Sequence, residues 1–481
     1  MKSKKMSRKN KTSLTILWLL GIFLSCLPLK VKVQALADYT PPQVIVSLGD
    51  SFSSGEGIEP FYGQDKQVSE KVRYHDWLAH RSENSWPGML TLPFLKDKMS
   101  FYKDKKTHWF FAASSGAETQ HLKSEQEKEY NKKTGVFGKI SGKKMLPPQL
   151  AVFDQVRKEG LQADYVTLTL GGNDAGFGKV LHSVILGSIN LDINSVAERI
   201  NHIWKAFEAK GGIKDSLRQA YQDIWEAAGP QAQIIVAGYP QLLDKANKGI
   251  SLSEMEIDTV NNAVTLFNNE IKKLVTESSA AGINIHFVDV EPAFKGHGAY
   301  ATIPFLNALM PMPHGEDINR WVFPSMYSFH PNRMGAAAYA SCVQQKIDEL
   351  EHARFQTFLE GSIWRREADF RRGFIDYLEF MPGGQVRYST PDHREYPHAD
   401  SEYYEVLGTY TFNDLDDGLA ILFDGGTYDN GDPWLWRLVI KRTDDGQYII
   451  YDPGSPAYEE EDNYITDFFP VEERDLTPSD R

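Results

Sequence analysis

The sequence of 481 residues contains only two cysteines, Cys26 and Cys342. Cys26 lies in an N-terminal segment that we expect to be cleaved off, which leaves one cysteine and no internal disulfide. A zinc site is not indicated either, because no cluster of cysteine and histidine has the spacing of metal ligands. Stability is therefore expected to come from the packing of the core.

A surplus of positive charge is also missing, since the formal net charge is −13 at pH 7. Residues 1–37 carry eight Lys or Arg residues and no acidic residue, so their removal would lower the net charge to −21. So acidic a chain repels nucleic acid, and we expect no nucleic-acid partner.

Long apolar runs are absent apart from one, SLTILWLLGIFLSCLPL, near the N-terminus. It follows the basic segment MKSKKMSRKNK and precedes the small-residue site Ala35-Leu36-Ala37. This order is typical of a secretory signal peptide over residues 1–37 and predicts a secreted, extracellular protein. The alternative is an uncleaved membrane anchor, which the run of about 15–17 apolar residues disfavours, because a spanning helix needs roughly 17–25.

Short apolar runs alternate with amphipathic helical patterns over residues 38–350. The runs QVIVSL, HWFFAA, DYVTLTL, AQIIVAG and INIHFVDV are nearly continuous in apolar residues. Such strands are typical of a parallel sheet with both faces covered. We therefore predict an α/β domain of three layers, in which ligands bind at the carboxyl ends of the strands.

The composition changes near residue 351, beyond which 28 acidic residues stand against 12 basic ones. Aromatic-rich runs such as WLWRLVIKR alternate with turn signals such as NDLDDG and DGGTYDNGDP. This spacing predicts a small antiparallel all-β domain over residues 351–481, barrel-like or sandwich-like, whose role the sequence leaves unknown. We expect a short helix over residues 353–368 to lead into it and residues 459–481 to fray.

Ser51 is the first candidate for chemistry. The strand at residues 43–48 ends in Gly49-Asp50-Ser51, so the hydroxyl is placed at a strand end. A serine hydroxyl is a weak nucleophile until a base takes its proton, and a histidine is the usual base. Of the 13 histidines, context leaves four candidates: His297, His314, His330 and His352. We favour His330, because Pro331 and Asn332 form a turn that would hold the imidazole before a helix.

Two further strand ends present hydrogen-bond donors. Gly116 follows the HWFFAA strand, and Gly172-Asn173-Asp174 follows the DYVTLTL strand. A glycine N–H and an asparagine amide can both hold an oxyanion. Either stretch alone is more typical of a plain strand-to-helix turn.

Taken together in this order, these stretches resemble the motif blocks of the SGNH (GDSL-type) hydrolases, in particular secreted bacterial esterases and lipases. The resemblance implies a carboxylic ester hydrolase that needs no cofactor and no metal. It implies that Ser51 is the nucleophile and His330 the base. It further implies that the oxyanion is held by the N–H groups of Ser51 and Gly116 and by the side chain of Asn173.

One position departs from the family pattern. Three residues before the histidine, where the family usually has an aspartate, this chain has Tyr327. Some relatives orient the histidine with a backbone carbonyl, so the resemblance implies that the Tyr327 carbonyl does so here. Asp289 and Asp317 remain as alternative acidic partners.

Two other functions stay open. One is a non-catalytic secreted protein that binds a glycan or the cell wall through the aromatic side chains of the C-terminal domain. The other is an acyltransferase that uses the same site. The favoured partner is an ester substrate, either a lipid or a small molecule, and the acyl-chain and alcohol specificity does not follow from the sequence.

Overall fold

The structure is a computed structural model of the full chain. It describes residues 39–63, 75–134, 138–176, 193–245, 253–310, 325–369, 374–391, 403–415, 418–427, 431–443, 445–453 and 467–471. The predicted signal peptide lies outside the described residues, as does Asp317. None of the described helices is long and apolar enough to cross a membrane.

The chain divides into two compact units, one built mainly on residues 40–353 and the other on the strands after Arg354. Among the described residues, the strands of the first unit are β1 (Ile45–Ser47), β2 (Trp109–Phe111), β3 (Gln126–Thr134), β4 (Gly138–Leu146), β5 (Tyr165–Leu168), β6 (Gln233–Ala237) and β7 (Ile285–Val288). The α-helices are α1 (Ser51–Ser54), α2 (His75–Leu78), α3 (Trp86–Met89), α4 (Val152–Lys158), α5 (Ile193–Glu208), α6 (Ile213–Ala228), α7 (Glu254–Ala280), α8 (Glu291–Phe294) and α9 (Arg333–Leu359). Three short 3₁₀ helices cover Met99–Tyr102, Thr119–Leu122 and Gln149–Ala151.

Five of these strands form one parallel sheet in the order β2-β1-β5-β6-β7. All residues of β1, β2 and β5 are buried, as the continuous apolar runs predicted. Burial on both faces requires helices on both sides of the sheet, so the predicted three-layer α/β fold is confirmed. Because neighbouring strands are parallel, β1, β2 and β5 bring their carboxyl ends to one edge, and this edge carries the segments after Ser47, Phe111 and Leu168.

The strands β3 and β4 form a separate antiparallel hairpin, paired from Gln126–Leu146 to Thr134–Gly138. No strand is predicted for this segment, because it is rich in lysine and glutamate and short of apolar residues. Its strand pairing places Gln126 and Lys128, two residues apart, on the same face of the hairpin.

The second unit contains a closed eight-stranded barrel in the order β10-β11-β12-β13-β14-β15-β8-β9. Its strands are β8 (Ile363–Asp369), β9 (Phe374–Met381), β10 (Gln385–Pro391), β11 (Tyr403–Leu415), β12 (Gly418–Thr427), β13 (Pro433–Arg442), β14 (Tyr448–Tyr451) and β15 (Asp467–Val471). The prediction of an antiparallel all-β unit is confirmed, and closure into a barrel leaves no unpaired sheet edge.

Two local predictions are wrong. The expected helix over residues 353–368 is instead the end of α9 followed by strand β8, because Gly361 at φ +83° ends the helical conformation. Part of the tail that we expected to fray is strand β15, which pairs with β14 and β8 and closes the barrel. Cys342 is a free, half-buried thiol on α9.

Candidate active site

Ser51 is the first residue of the short helix α1, directly beyond β1. The preceding glycine is required by geometry: Gly49 has φ +111°, and a Cβ there would lie 2.2 Å from the carbonyl oxygen of Thr169. The Asp50 carboxylate caps α1 by accepting a hydrogen bond from the Phe52 N–H. Ser51 is thus held on a tight strand-to-helix turn and is only 7% exposed.

The Ser51 Oγ lies 2.8 Å from the Nε2 of His330, although 279 positions separate the two residues in the chain. The histidine loop is held by its backbone, because His330 O accepts from Asn307 N at 2.9 Å and Asn332 N donates to Phe305 O at 2.9 Å. Asn332 Oδ1 also accepts from the N–H groups of Met334 and Gly335 at the start of α9. The Pro-Asn turn therefore fixes the imidazole in front of the helix, as the sequence pattern predicted.

His330 is half-buried, and this desolvation lowers its pKa, while the negative charge of Glu56 raises it. The Nδ1 atom meets no acceptor at full hydrogen-bond geometry among the described residues. The backbone carbonyls of Met326 and Ser328 lie close enough to the ring to raise its pKa. The Tyr327 carbonyl accepts from His330 N at 3.3 Å and from Asn307 Nδ2 at 3.2 Å.

The two predicted oxyanion donors are connected to each other and to the Ser51 turn. Asn173 Nδ2 donates to the carbonyl oxygen of Ala117 at 2.8 Å, which joins the end of β5 to the loop containing Gly116. Ser114 N donates to Gly49 O at 3.0 Å, two residues before Ser51. The structure thus places the loops of all four predicted residues at the same edge of the sheet. Asp289, which the sequence analysis considered as an acidic partner of His330, accepts a hydrogen bond at Oδ1 from the backbone N–H of Glu291.

A buried network around Asp50 was missed by the sequence analysis. Asp50 Oδ1 accepts from Thr169 Oγ1 at 2.6 Å, and Oδ2 accepts from the hydroxyl of Tyr239 at 2.5 Å. The Tyr239 hydroxyl in turn accepts from Gly172 N at 3.1 Å. Burial raises the pKa of Asp50 to about 6, although the hydrogen bonds from Thr169, Tyr239 and Phe52 lower it. Because Thr169 follows β5 and Tyr239 follows β6, one carboxylate ties three strand ends together.

A second buried carboxylate, Glu56, lies next to the serine helix and was also missed. Its Oε2 is 2.8 Å from His80 Nδ1, and the His80 ring stacks on Phe61 with a centroid distance of 4.6 Å. Burial alone would raise the pKa of Glu56, but His80, His330 and Ser115 together lower it to about 2. Glu56 is therefore ionised throughout the ordinary pH range and places a negative charge near His330.

The Asp50 network predicts a pH-dependent stability effect of Tyr239→Phe. The folded pKa of Asp50 exceeds its ordinary value of 3.8, so the protonated carboxyl stabilises the fold. This contribution is fully present below about pH 4 and is lost as the pH rises to about 6. Removing the hydroxyl deprives the ionised carboxylate of a donor and should cost about 1–3 kcal/mol of unfolding free energy. Urea unfolding should show that Tyr239→Phe loses more unfolding free energy at pH 8 than at pH 4.5.

The matched control is Tyr339→Phe, whose buried hydroxyl donates to the Gly238 carbonyl at 2.8 Å instead of to a carboxylate. It should lose stability equally at both pH values. An equal loss at both pH values for Tyr239→Phe would show that the Asp50 carboxylate does not depend on this hydroxyl.

The family model described as GDSL-like lipase/acylhydrolase matches residues 45–343. The curated relative Lipase 1 of Streptomyces coelicolor is 24% identical over 292 residues, which are 60% of this chain and 81% of the relative. A lipase of Streptomyces rimosus is 24% identical over 291 residues, again 60% of this chain and 81% of the relative.

Solved structures give a weaker likeness. The extracellular lipase from Streptomyces rimosus has a TM-score of 0.40 and 21% identity, covering 64% of this chain and 99% of that one. The phospholipase A1 from Streptomyces albidoflavus gives the same values. The family assignment follows from the family model, whose match spans well over half of the 481 residues. The protein belongs to the GDSL-like lipase/acylhydrolase family and is a carboxylic ester hydrolase.

Proposed function

We propose that this protein is a secreted serine esterase that hydrolyses carboxylic esters through an acyl-enzyme on Ser51, with His330 as the general base. The contact of 2.8 Å between Ser51 Oγ and His330 Nε2 carries this proposal. It lies within the range of about 2.6–3.2 Å in which a base can take the proton of a nucleophile. The low exposure of Ser51 limits access of bulk water to the hydroxyl.

The reaction has two steps. Ser51 Oγ attacks the ester carbonyl carbon while its proton passes to His330 Nε2, and the imidazolium then protonates the departing alcohol. In the second step His330 takes a proton from water, which attacks the acyl carbon. The bond between that carbon and Ser51 Oγ then breaks, the imidazolium returns the proton to Oγ, and the acid is released. The negative oxygen formed in each step is held by the N–H groups of Ser51 and Gly116 and by the Asn173 amide.

We assign the orientation of the His330 ring to the carbonyls of Met326 and Ser328, on either side of Tyr327. The carbonyls of Met326 and Ser328 favour the charged imidazole, whereas the Tyr327 carbonyl serves the backbone and Asn307. The mechanism needs the proton of the neutral imidazole on Nδ1, because this tautomer leaves Nε2 free to accept from Ser51. Glu56 adds a negative charge that stabilises the imidazolium.

The acyl portion of the substrate is expected to be apolar. Met326 and Met334 flank His330 in the chain and expose 53% and 47% of their surface. Exposed methionines adapt to flexible apolar ligands. This favours lipid or acyl esters over strongly polar substrates and leaves the chain length open.

Secretion and the domain limits belong to the same proposal. We assign residues 1–37 to the signal peptide, 38–350 to the hydrolase domain and 351–481 to the acidic β domain. A basic segment, an apolar run and the Ala35-Leu36-Ala37 site follow one another in residues 1–37, and this order supports cleavage after Ala37. Protein recovered from the culture medium should begin at Asp38, and a chain retained in the membrane with residues 1–37 attached would refute the assignment.

Substitution of the nucleophile tests the mechanism. Ser51→Ala should lower kcat on a p-nitrophenyl ester on the order of 10⁴–10⁶-fold, because no other group can form the acyl-enzyme. Ser54→Ala is the matched control, since Ser54 is equally buried in α1 and its hydroxyl lies 3.3 Å from the Ser51 carbonyl. Its kcat should stay within about tenfold of wild type, the scale of one lost hydrogen bond. Comparable activity of Ser51→Ala and wild type would exclude the acyl-enzyme.

The pH profile tests the base. Because burial lowers the pKa of His330, the acid limb of kcat/KM should have its inflection below 6.5, the ordinary value. Glu56 raises the pKa of His330, so Glu56→Gln should move the inflection to still lower pH. A profile that is flat down to pH 4, or a shift of the limb to higher pH in Glu56→Gln, would contradict the role of His330.

A further inference from the structure

The loop that carries Gly116 is a tight turn of defined type. Ala117 N donates to Ser114 O at 3.0 Å, which closes a four-residue β-turn. Gly116, its third residue, has φ +70°. A positive φ at this position, with no positive φ at Ser115, is that of a type II turn and favours glycine. The central peptide of the turn therefore consists of the Ser115 carbonyl and the Gly116 N–H.

Type I and type II β-turns differ in the direction of the central peptide. Type I and type II turns have nearly the same ends, but the central peptide is rotated by about 180°. In a trans peptide the N–H and the C=O point in opposite directions, so a group that holds the Ser115 carbonyl also aims the Gly116 N–H. An oxyanion donor is effective only if it is already aimed when the charge forms.

Two side chains of strand β3 hold the Ser115 carbonyl. Gln126 Nε2 donates to it at 2.9 Å, and Lys128 Nζ donates to it as well in a short contact. The same two groups are the nearest neighbours of a Cβ built on Gly116, at 3.7 Å and 4.0 Å. On the other side, Ser115 N donates to Ala79 O at 3.0 Å. The carbonyl of the Ser115–Gly116 peptide and the N–H of the preceding peptide are therefore both held.

We propose that Lys128 and Gln126 are positioning residues that hold the Ser115–Gly116 peptide in its type II orientation and strengthen the Gly116 N–H as an oxyanion donor. The inference rests on the proposed function, because it assigns Gly116 to the oxyanion site. It goes beyond it by extending the catalytic machinery to the β3–β4 hairpin.

The charge of Lys128 explains the strengthening. A cation on the carbonyl oxygen draws electron density from the peptide, which makes the N–H a stronger hydrogen-bond donor in a site of low dielectric. A neutral amide such as Gln126 has the same effect to a smaller degree. Neither residue is required to touch the substrate.

The surroundings of Lys128 allow the cation to lose its proton near neutral pH. Burial lowers the pKa of Lys128 to about 8, while Glu56 raises it and Arg81 lowers it. His121, whose pKa Lys128 lowers, and Lys144, its partner across the hairpin, are the other charged or titratable groups beside it. Lys128 is therefore charged below about pH 8, and its contribution to catalysis should fade above that pH.

The experiment compares Lys128→Met, Lys128→Arg and Gln126→Leu with wild type on a p-nitrophenyl ester. Loss of a whole oxyanion donor typically costs 10²–10³ in rate, so a weakened and misdirected donor should lower kcat by about 10-fold, with KM changed less than about twofold. Binding of an alkyl trifluoromethyl ketone, which forms an oxyanion adduct with a serine, should weaken by the same factor as kcat. Lys143→Met, an exposed lysine of the same hairpin, is the control and should match wild type.

The pH dependence of activity above about pH 8 distinguishes a positioning role of Lys128 from a purely structural role. Wild type should lose activity above about pH 8, and Lys128→Arg should keep most of its kcat without that decline, since arginine stays charged. If Lys128→Met does not fold, Lys128→Arg and Gln126→Leu still carry the test. A change in KM alone, or a kcat of Lys128→Met and Gln126→Leu within twofold of wild type, would overturn the inference. If in addition Ser51→Ala is inactive, the proposed function stands; if Ser51→Ala is active, the proposed function itself fails.

Discussion

The hydrogen bond between Ser51 Oγ and His330 Nε2 is the constraint around which the first unit is arranged. Its two partners come from distant parts of the chain, one beyond strand β1 and the other on the loop before α9. A contact this short between distant segments requires each backbone to be fixed independently. Gly49 and Asp50 do this for the serine, and Asn307 and Asn332 do it for the histidine.

Buried charge is the second theme of the site. Asp50, Glu56 and Lys128 are ionisable groups shielded from water, each held by specific donors or acceptors. Burying such groups is costly unless they are paired, so their presence beside Ser51 indicates a function more than a contribution to stability. Asp50 organises strand ends, Glu56 supports a positive imidazole, and Lys128 faces the peptide of Gly116. Together they form an electrostatic setting that is ready before substrate arrives.

The sequence was sufficient for the parts of the fold that depend on local pattern. Continuous apolar runs predicted the five parallel strands, and the Pro-Asn turn favoured His330 among four candidate histidines. Contacts made by distant polar residues carry no local signal: Tyr239 reaches Asp50 across 189 positions, and nothing in its own neighbourhood indicates this. The lysine-rich hairpin and strand β15 were missed for a related reason, because pairing with a neighbour outweighs a composition that is poor for strands.

The measurement that tests the central claim most directly is covalent labelling of the nucleophile. A p-nitrophenyl alkylphosphonate releases p-nitrophenol when an activated serine attacks its phosphorus, and the adduct resembles the tetrahedral intermediate. After digestion, mass spectrometry should find one phosphonyl group per chain, on the peptide that contains Ser51, with labelling strongly slowed in His330→Ala. Labelling at another residue, or equal labelling of the Ser51→Ala protein, would contradict the account.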